Sequence, residues 1–182
     1  MKTLFKKAIP LMLAFLTFQV FATTSTVTDY SAQDKTIVSS IEKQIARNPE
    51  ISSVHVALNS LRGKVVLIGT VDTEAQASDL VEIAQSTPGV TDVITTNLKV
   101  KDSNQPLADT IITAKVKGLF LRDKLFTNKD ISVTSVKVET KNGVVHLTGT
   151  ADSATEVKNA VKAAKTVKGV KKVKSYIKIS NK

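Results

Sequence analysis

GKVVLIGTVDTEAQASDLVEIAQSTPGVTDV, residues 63–93, recurs without a gap as GVVHLTGTADSATEVKNAVKAAKTVKGVKKV, residues 143–173. The two segments lie 80 positions apart, and 11 of their 31 positions are identical. Six of the seven glycines of the chain form three matched pairs, which are Gly63 with Gly143, Gly69 with Gly149, and Gly89 with Gly169. Glycine suits positions where the backbone turns or approaches another segment closely, so both copies are expected to turn at these three places. The chain is therefore interpreted as a tandem of two small domains with one fold.

Each copy is predicted to open with a helix and to continue with a β-hairpin. Apolar residues recur at helical spacing ahead of each repeat, at Ile37, Ile41 and Ile45 and again at Ile112, Val116, Leu119 and Phe120. The first helix should end at Asn48, because the residue before a proline avoids helical geometry. Alternating apolar residues then flank Arg62-Gly63 and Asn142-Gly143, and Asn-Gly between such runs is a strong hairpin signal.

A second helix in each copy carries the same start and stop signals. The start is a capping box in which a hydroxyl residue and a Glu or Gln three positions later bind free backbone amides, namely Thr73 with Gln76 and Ser153 with Glu156. Gly89 and Gly169 stand where left-handed C-caps are expected. Both helices should therefore begin and end at equivalent positions.

A last strand completes each copy, with an irregularity expected at Thr95-Thr96 in the first. The strand–helix–strand part predicts a parallel crossover connection. The predicted fold class is α+β, with two tandem domains of order α-β-β-α-β. Each domain should have a small three-stranded mixed sheet with both helices on one face.

The N-terminal residues have the pattern of a secretory signal peptide. Lys2, Lys6 and Lys7 precede a short apolar run that ends at Ala22, and a polar segment follows. The alternative is an uncleaved membrane anchor, although the run is short for a bilayer span. Cleavage near Ala22 would release a periplasmic protein, and a lipid anchor on an N-terminal cysteine is not expected because the chain has no cysteine. The predicted divisions are a signal peptide (1–22), a flexible segment (23–33), the first domain (34–101), a linker (102–108) and the second domain (109–182).

Charge is divided unevenly between the two copies. Residues 34–101 carry 7 basic and 8 acidic side chains, whereas residues 109–182 carry 16 basic and 6 acidic ones. Net charge bears on partners and on association more than on fold. The second copy is therefore the one expected to meet an anionic partner. Disulfides, thiol catalysis and thiolate metal sites are excluded, since cysteine is absent.

The repeated pattern resembles the BON domain family. The motif G-x-V-x-L-x-G reads from Gly63 to Gly69 and from Gly143 to Gly149, and G-V-x-x-V reads from Gly89 to Val93 and from Gly169 to Val173. The two-copy layout is similar to exported dual-BON proteins of the osmotic-stress type. The resemblance implies binding to anionic phospholipid membranes or envelope maintenance. It implies contact with envelope proteins as further partners, and no enzyme activity, cofactor or metal.

The resemblance also implies that the first helix of the second domain engages anionic lipid. Helical spacing places Leu121 opposite the core residue Ile112, with lysines beside it. The candidate lipid-binding residues are Lys117, Leu121, Lys124 and Leu125. An exposed leucine pair with flanking lysines suits an anionic bilayer surface. The alternative interpretation is that Leu121, Leu125 and Phe126 pack on the first copy or under the long loop that follows the helix.

A second candidate basic surface follows the last helix and the turn after it. Its residues are Lys158, Lys162, Lys165, Lys171 and Lys172. The alternative is an ordinary solvated helix face. Nucleic acid is not an expected partner, because the export pattern opposes it and aromatic residues for a stacking platform are sparse.

No catalytic site is predicted from the sequence. His55 and His146 fall in strand patterns at non-equivalent positions of the two copies. Asp72 and Asp152 recur, but their place between a strand end and a capping box favours turn formation. The leading hypothesis is a periplasmic envelope-maintenance protein whose second domain binds anionic phospholipid. The alternatives are a chaperone-like holder of unfolded envelope proteins and a purely structural stress protein.

Overall fold

A computed structural model describes residues 30–101, 103, 107–126 and 136–180, which form two successive α-β-β-α-β units. The first unit comprises α1 (Tyr30–Arg47), β1 (Val56–Leu61), β2 (Lys64–Val71), α2 (Glu74–Ser86) and β3 (Asp92–Val100). The second comprises α3 (Ala108–Phe126), β4 (Val136–Lys141), β5 (Val144–Ala151), α4 (Ala154–Thr166) and β6 (Lys172–Ile179). The predicted signal peptide, 1–22, lies outside the described residues. The first helix ends at Arg47, directly before Asn48-Pro49 as predicted.

Each unit contains one three-stranded mixed sheet, which confirms the predicted fold class. The middle strand pairs antiparallel with the preceding strand and parallel with the following one, in both sheets. In the first sheet Val66 pairs with Ile94 and Ile68 pairs with Asn97. Two residues, Thr95 and Thr96, therefore oppose a single residue of β2, and the predicted irregularity is a β-bulge. The second sheet pairs continuously from Val144 to Ala151.

Both helices of each unit cover one face of its sheet and leave the other face open. Alternate residues of β2 point into the core, where Val65, Leu67 and Val71 are almost completely buried. The equivalent residues Val145 and Leu147 of β5 are also fully buried. A strand places successive side chains on opposite faces, so the residues between these line the open side. This open side is called the outer face of each sheet.

A helix-borne carboxylate holds each hairpin turn. Arg62 (φ 53°) and Gly63 (φ 74°) both have positive φ, as a two-residue turn of this kind requires, and Asn142 and Gly143 repeat the geometry. The Asp34 carboxylate of α1 accepts hydrogen bonds from the Arg62 and Gly63 amides at 2.8 and 2.9 Å. Asp109 of α3 accepts the corresponding bonds from Asn142 and Gly143 at 2.6 and 2.8 Å. The sequence analysis missed both aspartates, although they stand three positions before the first core isoleucine of each copy.

The predicted N-caps are present in both second helices. Thr73 and Ser153 accept hydrogen bonds from the amides of Gln76 and Glu156. The Gln76 and Glu156 side chains in turn accept from the amides of Asp72 and Asp152, one residue before each cap. These hydrogen bonds from the backbone amides of Asp72 and Asp152 stabilise a tight bend between strand and helix.

Two of the three glycine pairs do not have the roles that were predicted for them. The C-cap of α2 is Thr87, which is extended, and the Val90 amide donates to the Thr87 carbonyl at 3.2 Å. Gly89 is therefore the third residue of a β-turn after the helix, and Gly169 has the same place after α4. Gly69 and Gly149 lie within β2 and β5 rather than in turns. They allow close approach of the neighbouring strand, since an added Cβ at Gly69 would lie 3.0 Å from the His55 carbonyl oxygen.

Helix α3 of the second unit packs directly on α2 of the first. The seventh glycine, Gly118, lies at this contact, where an added Cβ would be 2.7 Å from the Glu82 carbonyl oxygen and 2.8 Å from Gln85 Cβ. Ile111 and Ala114 of α3 belong to the hydrophobic core of the first unit. The opposite side of the same helix carries the core of the second unit. One helix therefore serves two cores.

Polar groups complete the contact between the two units. The Lys115 ammonium lies 2.8 Å from an Asp92 carboxylate oxygen, and the Lys115 side chain is only 8% exposed. Arg122 donates to the Val90 carbonyl at 2.5 Å, and Thr110 donates to the Glu74 carboxylate at 3.3 Å. Removing Asp92 would be costly, because the buried Lys115 charge would remain without compensation. These bonds fix the register of α3 against the first unit.

We expect Gly118→Ala to lower the stability of the whole protein. Alanine favours an isolated helix over glycine by about 1 kcal/mol. At this contact the new methyl group would push α3 away from the backbone of α2, and such overpacking costs about 1–3 kcal/mol. Thermal and urea unfolding followed by circular dichroism should show a net loss. Lys124→Ala, an exposed change on the same helix, should have little effect. A higher melting temperature for Gly118→Ala would contradict the close contact.

Asp34→Asn should destabilise the first unit in a pH-dependent way. Hydrogen bonds from Ser60, Gly63 and Arg62 lower the pKa of Asp34 below its ordinary value of 3.8. A lowered pKa in the folded state gives stability that is present above the ordinary pKa and is lost as the pH falls through the folded one. The variant should therefore melt below the wild type at neutral pH, and the difference should shrink in acid. Asp72→Asn, a control at an exposed carboxylate, should leave the melting curve nearly unchanged. A pH-independent difference for Asp34→Asn would show that the charge of Asp34 does not matter.

Candidate functional site

The predicted lipid-binding helix is α3, and the structure exposes only part of the predicted surface. Lys117 and Lys124 are exposed, whereas Leu121 is half-buried. The side chain of Leu125 lies outside the described residues. Leu121 was expected to be exposed, and the structure leaves it only partly so. The α3 strip, defined as Lys117, Leu121 and Lys124, lies beside the contact with α2.

An acidic residue of the first unit reduces the positive potential of the α3 strip. Burial raises the pKa of Glu82 on α2, and the nearby Lys117 ammonium opposes that rise. Lys117 therefore acts partly as a partner of a carboxylate across the contact between the units. Lys124 has no such role in the described contacts and is the less compensated cation of the strip.

The second predicted basic surface divides into two parts. Lys158, Lys162 and Lys165 are exposed on α4. Lys171 lies in the turn before β6, with its side chain against Gly143. Lys172 is the first residue of β6 and pairs with Val144. Because the neighbouring Val173 packs on the core, Lys172 points to the outer face of the second sheet. The five lysines therefore do not form one surface.

The outer face of the second sheet is strongly basic, and the sequence analysis did not identify it. Strand register places five exposed lysines there, namely Lys137, Lys141, Lys172, Lys174 and Lys178. All five stand on the edge strands β4 and β6. The central strand β5 presents Val144, His146, Thr148 and Thr150 between them. This outer face is called the lysine-bordered face.

One carboxylate and two rings complete the lysine-bordered face. Glu139 forms an ion pair with Lys137 at 2.7 Å, which lowers the pKa of Glu139 and raises the pKa of Lys137. Both side chains are more than 60% exposed, so the pair adds little stability. The His146 and Tyr176 rings are stacked, with centroids 6.1 Å apart and planes 11° apart. Tyr176 is 56% exposed, so an aromatic ring remains accessible among the lysines.

The equivalent face of the first sheet is more apolar and less basic, although Lys64 and Lys99 also lie on it. Ala57 and Leu61 replace Lys137 and Lys141 at the corresponding positions, 80 residues earlier, and Ile94 replaces Lys174. Leu61 is 71% exposed and Ile68 is 38% exposed on this side. The two copies therefore share inward-facing residues and turns but differ in the chemistry of their outer faces. The alternation of lysine at positions 172, 174 and 178 was the sequence signal for the basic face.

The described residues give little support to catalysis. An open cleft of about 620 Å³ beside β4 is lined partly by Asp109, Thr113, Thr140 and His146. The Asp109 carboxylate already accepts two turn amides, and the two threonine hydroxyls bond to each other at 2.8 Å. His55 precedes β1 rather than lying within it. Across the described ranges, no three His, Asp or Glu side chains converge as a metal site. No helix in those ranges has the length and apolar character needed to cross a bilayer.

Comparison with known proteins agrees with this geometry. The BON domain family matches residues 33–102 and again residues 108–181. The chain is 33% identical to Osmotically-inducible protein Y of Escherichia coli strain K12, over 80% of this chain and 72% of that protein. It is 28% identical to the outer membrane lipoprotein DolP of Haemophilus influenzae, over 84% of this chain and 77% of that protein.

A solved structure shows a weaker likeness. It is the C-terminal domain of CdsD, a structural protein of the type III secretion system of Chlamydia trachomatis. The TM-score is 0.34 at 18% identity, covering 81% of this chain and 67% of that one. The two family matches cover both structural units, and the relatives span most of the chain. This chain is similar to Osmotically-inducible protein Y. It belongs to the BON domain family and contains two BON domains.

Proposed function

We propose that this dual-BON protein works in the periplasm, where its second domain binds the anionic phospholipid surface of a membrane. The names of two relatives connect those proteins with osmotic induction and with the outer membrane. The signal-peptide pattern of residues 1–22 is consistent with export, with cleavage near Ala22. We also propose a role in envelope maintenance, and domains that span residues 34–101 and 109–182.

The observation that carries the proposal is the position of free positive charge. The second domain has 16 basic and 6 acidic residues, against 7 and 8 in the first. On α3 the exposed Lys117 and Lys124 flank the half-buried Leu121. The apolar side of this helix is committed to the two cores. The strip therefore suits a peripheral contact in which lysines meet headgroups and Leu121 touches the interface.

The strip predicts weak, reversible and salt-sensitive binding. Each lysine close to an anionic leaflet contributes about 1 kcal/mol. The attraction falls off within the Debye length, which is about 8 Å at physiological ionic strength. A half-buried leucine adds little insertion energy, so electrostatics should dominate. The protein should therefore leave the membrane when salt is raised.

Lys117→Gln/Lys124→Gln should weaken binding to phosphatidylglycerol vesicles by about 30-fold, because two lysines of about 1 kcal/mol each are lost. The measurement is co-sedimentation of residues 23–182, which include every described element, with phosphatidylglycerol-containing vesicles at two salt concentrations. Wild type should bind these vesicles at low salt and should not bind purely zwitterionic vesicles.

The matched control is Lys35→Gln/Lys43→Gln, which removes two exposed lysines from α1 of the first domain. It makes the same change in net charge and should retain most of the binding. Equal losses in the two double variants would show that net charge alone matters and would contradict the α3 strip. Absence of wild-type binding to either kind of vesicle would contradict lipid binding altogether.

A chaperone-like holder of unfolded envelope proteins is the second candidate, and the outer face of the first sheet favours it. Leu61 and Ile68 are exposed there, and Val66 and Ile94 are half-buried. An exposed apolar sheet face can cover apolar segments of an extended chain. The activity would belong to the first domain and would need no lipid.

Under the chaperone hypothesis, Leu61→Thr/Ile68→Thr should reduce suppression of client aggregation, measured by light scattering of a thermally unfolding client without lipid. Threonine keeps strand propensity while removing apolar surface. Ile179→Thr, at an aliphatic residue that is 50% exposed in the second domain, is the control and should retain activity. Lys117→Gln/Lys124→Gln should also retain it. Unchanged suppression by the double threonine variant would rule out this face.

A further inference from the structure

The lysine-bordered face is a long, narrow surface with lysines along both of its borders, and it is called the track below. Strands in a sheet are about 4.8 Å apart, so the lysine-bearing strands β4 and β6 stand about 10 Å apart across β5. Lys172 and Lys178 are separated along β6 by about 20 Å at the usual rise per residue. Between the two borders lie the hydroxyls of Thr148 and Thr150 and the His146 ring, which stacks on the ring of Tyr176 from β6.

We propose that this face binds a linear anionic polysaccharide, with the sugar chain lying along β5 and its acidic groups between the lysines of β4 and β6. The acidic groups are carboxylates or phosphates, which lysine ammonium groups pair with equally well as point charges. Threonine hydroxyls below the chain supply hydrogen bonds to sugar hydroxyls. The exposed Tyr176 ring supplies a flat apolar surface for one sugar ring.

A bilayer is a poorer fit than a polymer. Strands β4 to β6 are described in full, and their outer face has no leucine, isoleucine or phenylalanine. Its one aliphatic side chain, Val144, is half-buried on the central strand. Peripheral membrane surfaces combine basic residues with apolar groups that enter the headgroup boundary. Here charge lines the borders, and the middle is polar.

A nucleic acid is also a poorer fit. Single-stranded nucleic acids bind platforms on which successive bases stack on successive aromatic rings. The lysine-bordered face has one accessible ring, since the His146 ring is stacked on Tyr176. The proposed periplasmic location argues against nucleic acid, and to that extent the choice of ligand rests on the proposed function.

The track and the α3 strip face different directions. The helices α3 and α4 cover the inner side of the second sheet, and the lysine-bordered face is the opposite side. A flat membrane that touches the α3 strip cannot also lie on the track. A protein held at a membrane by α3 would therefore keep the track available for a soluble polymer.

The experiment measures binding of residues 23–182 to a fluorescent polygalacturonate oligomer by anisotropy at low and physiological salt, with neutral dextran as the uncharged comparison. Wild type should bind the uronate chain and not dextran. Lys174→Ala/Lys178→Ala should weaken uronate binding about tenfold, the loss expected from two exposed charge contacts. Lys158→Ala/Lys162→Ala removes the same charge from α4 and should leave binding nearly unchanged.

A second variant tests the ring separately from charge. Tyr176→Ala should weaken binding of the uronate chain but leave binding of inorganic polyphosphate, which has no rings, unchanged. Circular dichroism would check that each variant keeps its fold. Equal losses in the β6 and α4 double variants would overturn the proposal, as would failure of wild type to bind the uronate chain.

Two other probes separate the competing partners. Oligothymidylate that binds more tightly than the uronate chain, and depends on Lys174 and Lys178, would overturn the polysaccharide assignment in favour of nucleic acid. Loss of phosphatidylglycerol-vesicle binding in Lys174→Ala/Lys178→Ala, with retention in Lys117→Gln/Lys124→Gln, would make the face a membrane contact and would also overturn it. Vesicle binding that fails in wild type while uronate binding persists would contradict the α3 proposal and support the track.

Discussion

The close approach of α3 to α2 at Gly118 is the constraint on which the arrangement of the two domains depends. A side chain at this position would meet backbone atoms of α2 at less than van der Waals distance. Because the helices touch here, Ile111 and Ala114 reach the first core while Val116 and Phe120 fill the second. A domain of about 70 residues has little core of its own. Sharing one helix lets each domain bury more apolar surface than it could alone.

The shared helix also limits how the protein can meet a membrane. An amphipathic helix that binds a bilayer needs a free apolar side. Among the side chains of α3 that the structure describes, the apolar ones are largely used by the two cores, and Lys117, Lys124 and part of Leu121 are accessible beside the contact with α2. The membrane contact that we propose for this helix would therefore be mainly electrostatic. The lysines on the outer face of the second sheet do not contribute to core packing, since strand residues on that side do not touch the core. Outer-face residues can differ between the copies at little cost in stability, as Leu61 and Lys141 do.

Local signals in the sequence were enough for most of the fold. Proline at position 49, the hairpin turns, the capping residues Thr73 and Ser153 and the bulge at Thr95-Thr96 all depend on residues close together in the chain. What failed depends on distant residues. The role of Gly118 follows from contact with α2, and the stripe Ile111, Ala114 and Gly118 is weak as a sequence signal because two of its three residues are small. The lysine-bordered face needed the pairing register, because Lys141 and Lys172 are near each other only through β5. Gly89 was misplaced because α2 ends three residues before it.

The two domains have the same fold, but their outer faces differ in chemistry. The first sheet presents exposed aliphatic side chains, and the second presents lysines beside a tyrosine. The contact at Gly118, together with the Lys115–Asp92 ion pair, holds these faces in a fixed relation. A loose linker would let each face find its partner independently. Because the two domains share a helix, a partner bound to one domain also orients the other domain. The duplication therefore sets a defined spacing between the exposed aliphatic side chains of the first sheet and the lysines of the second.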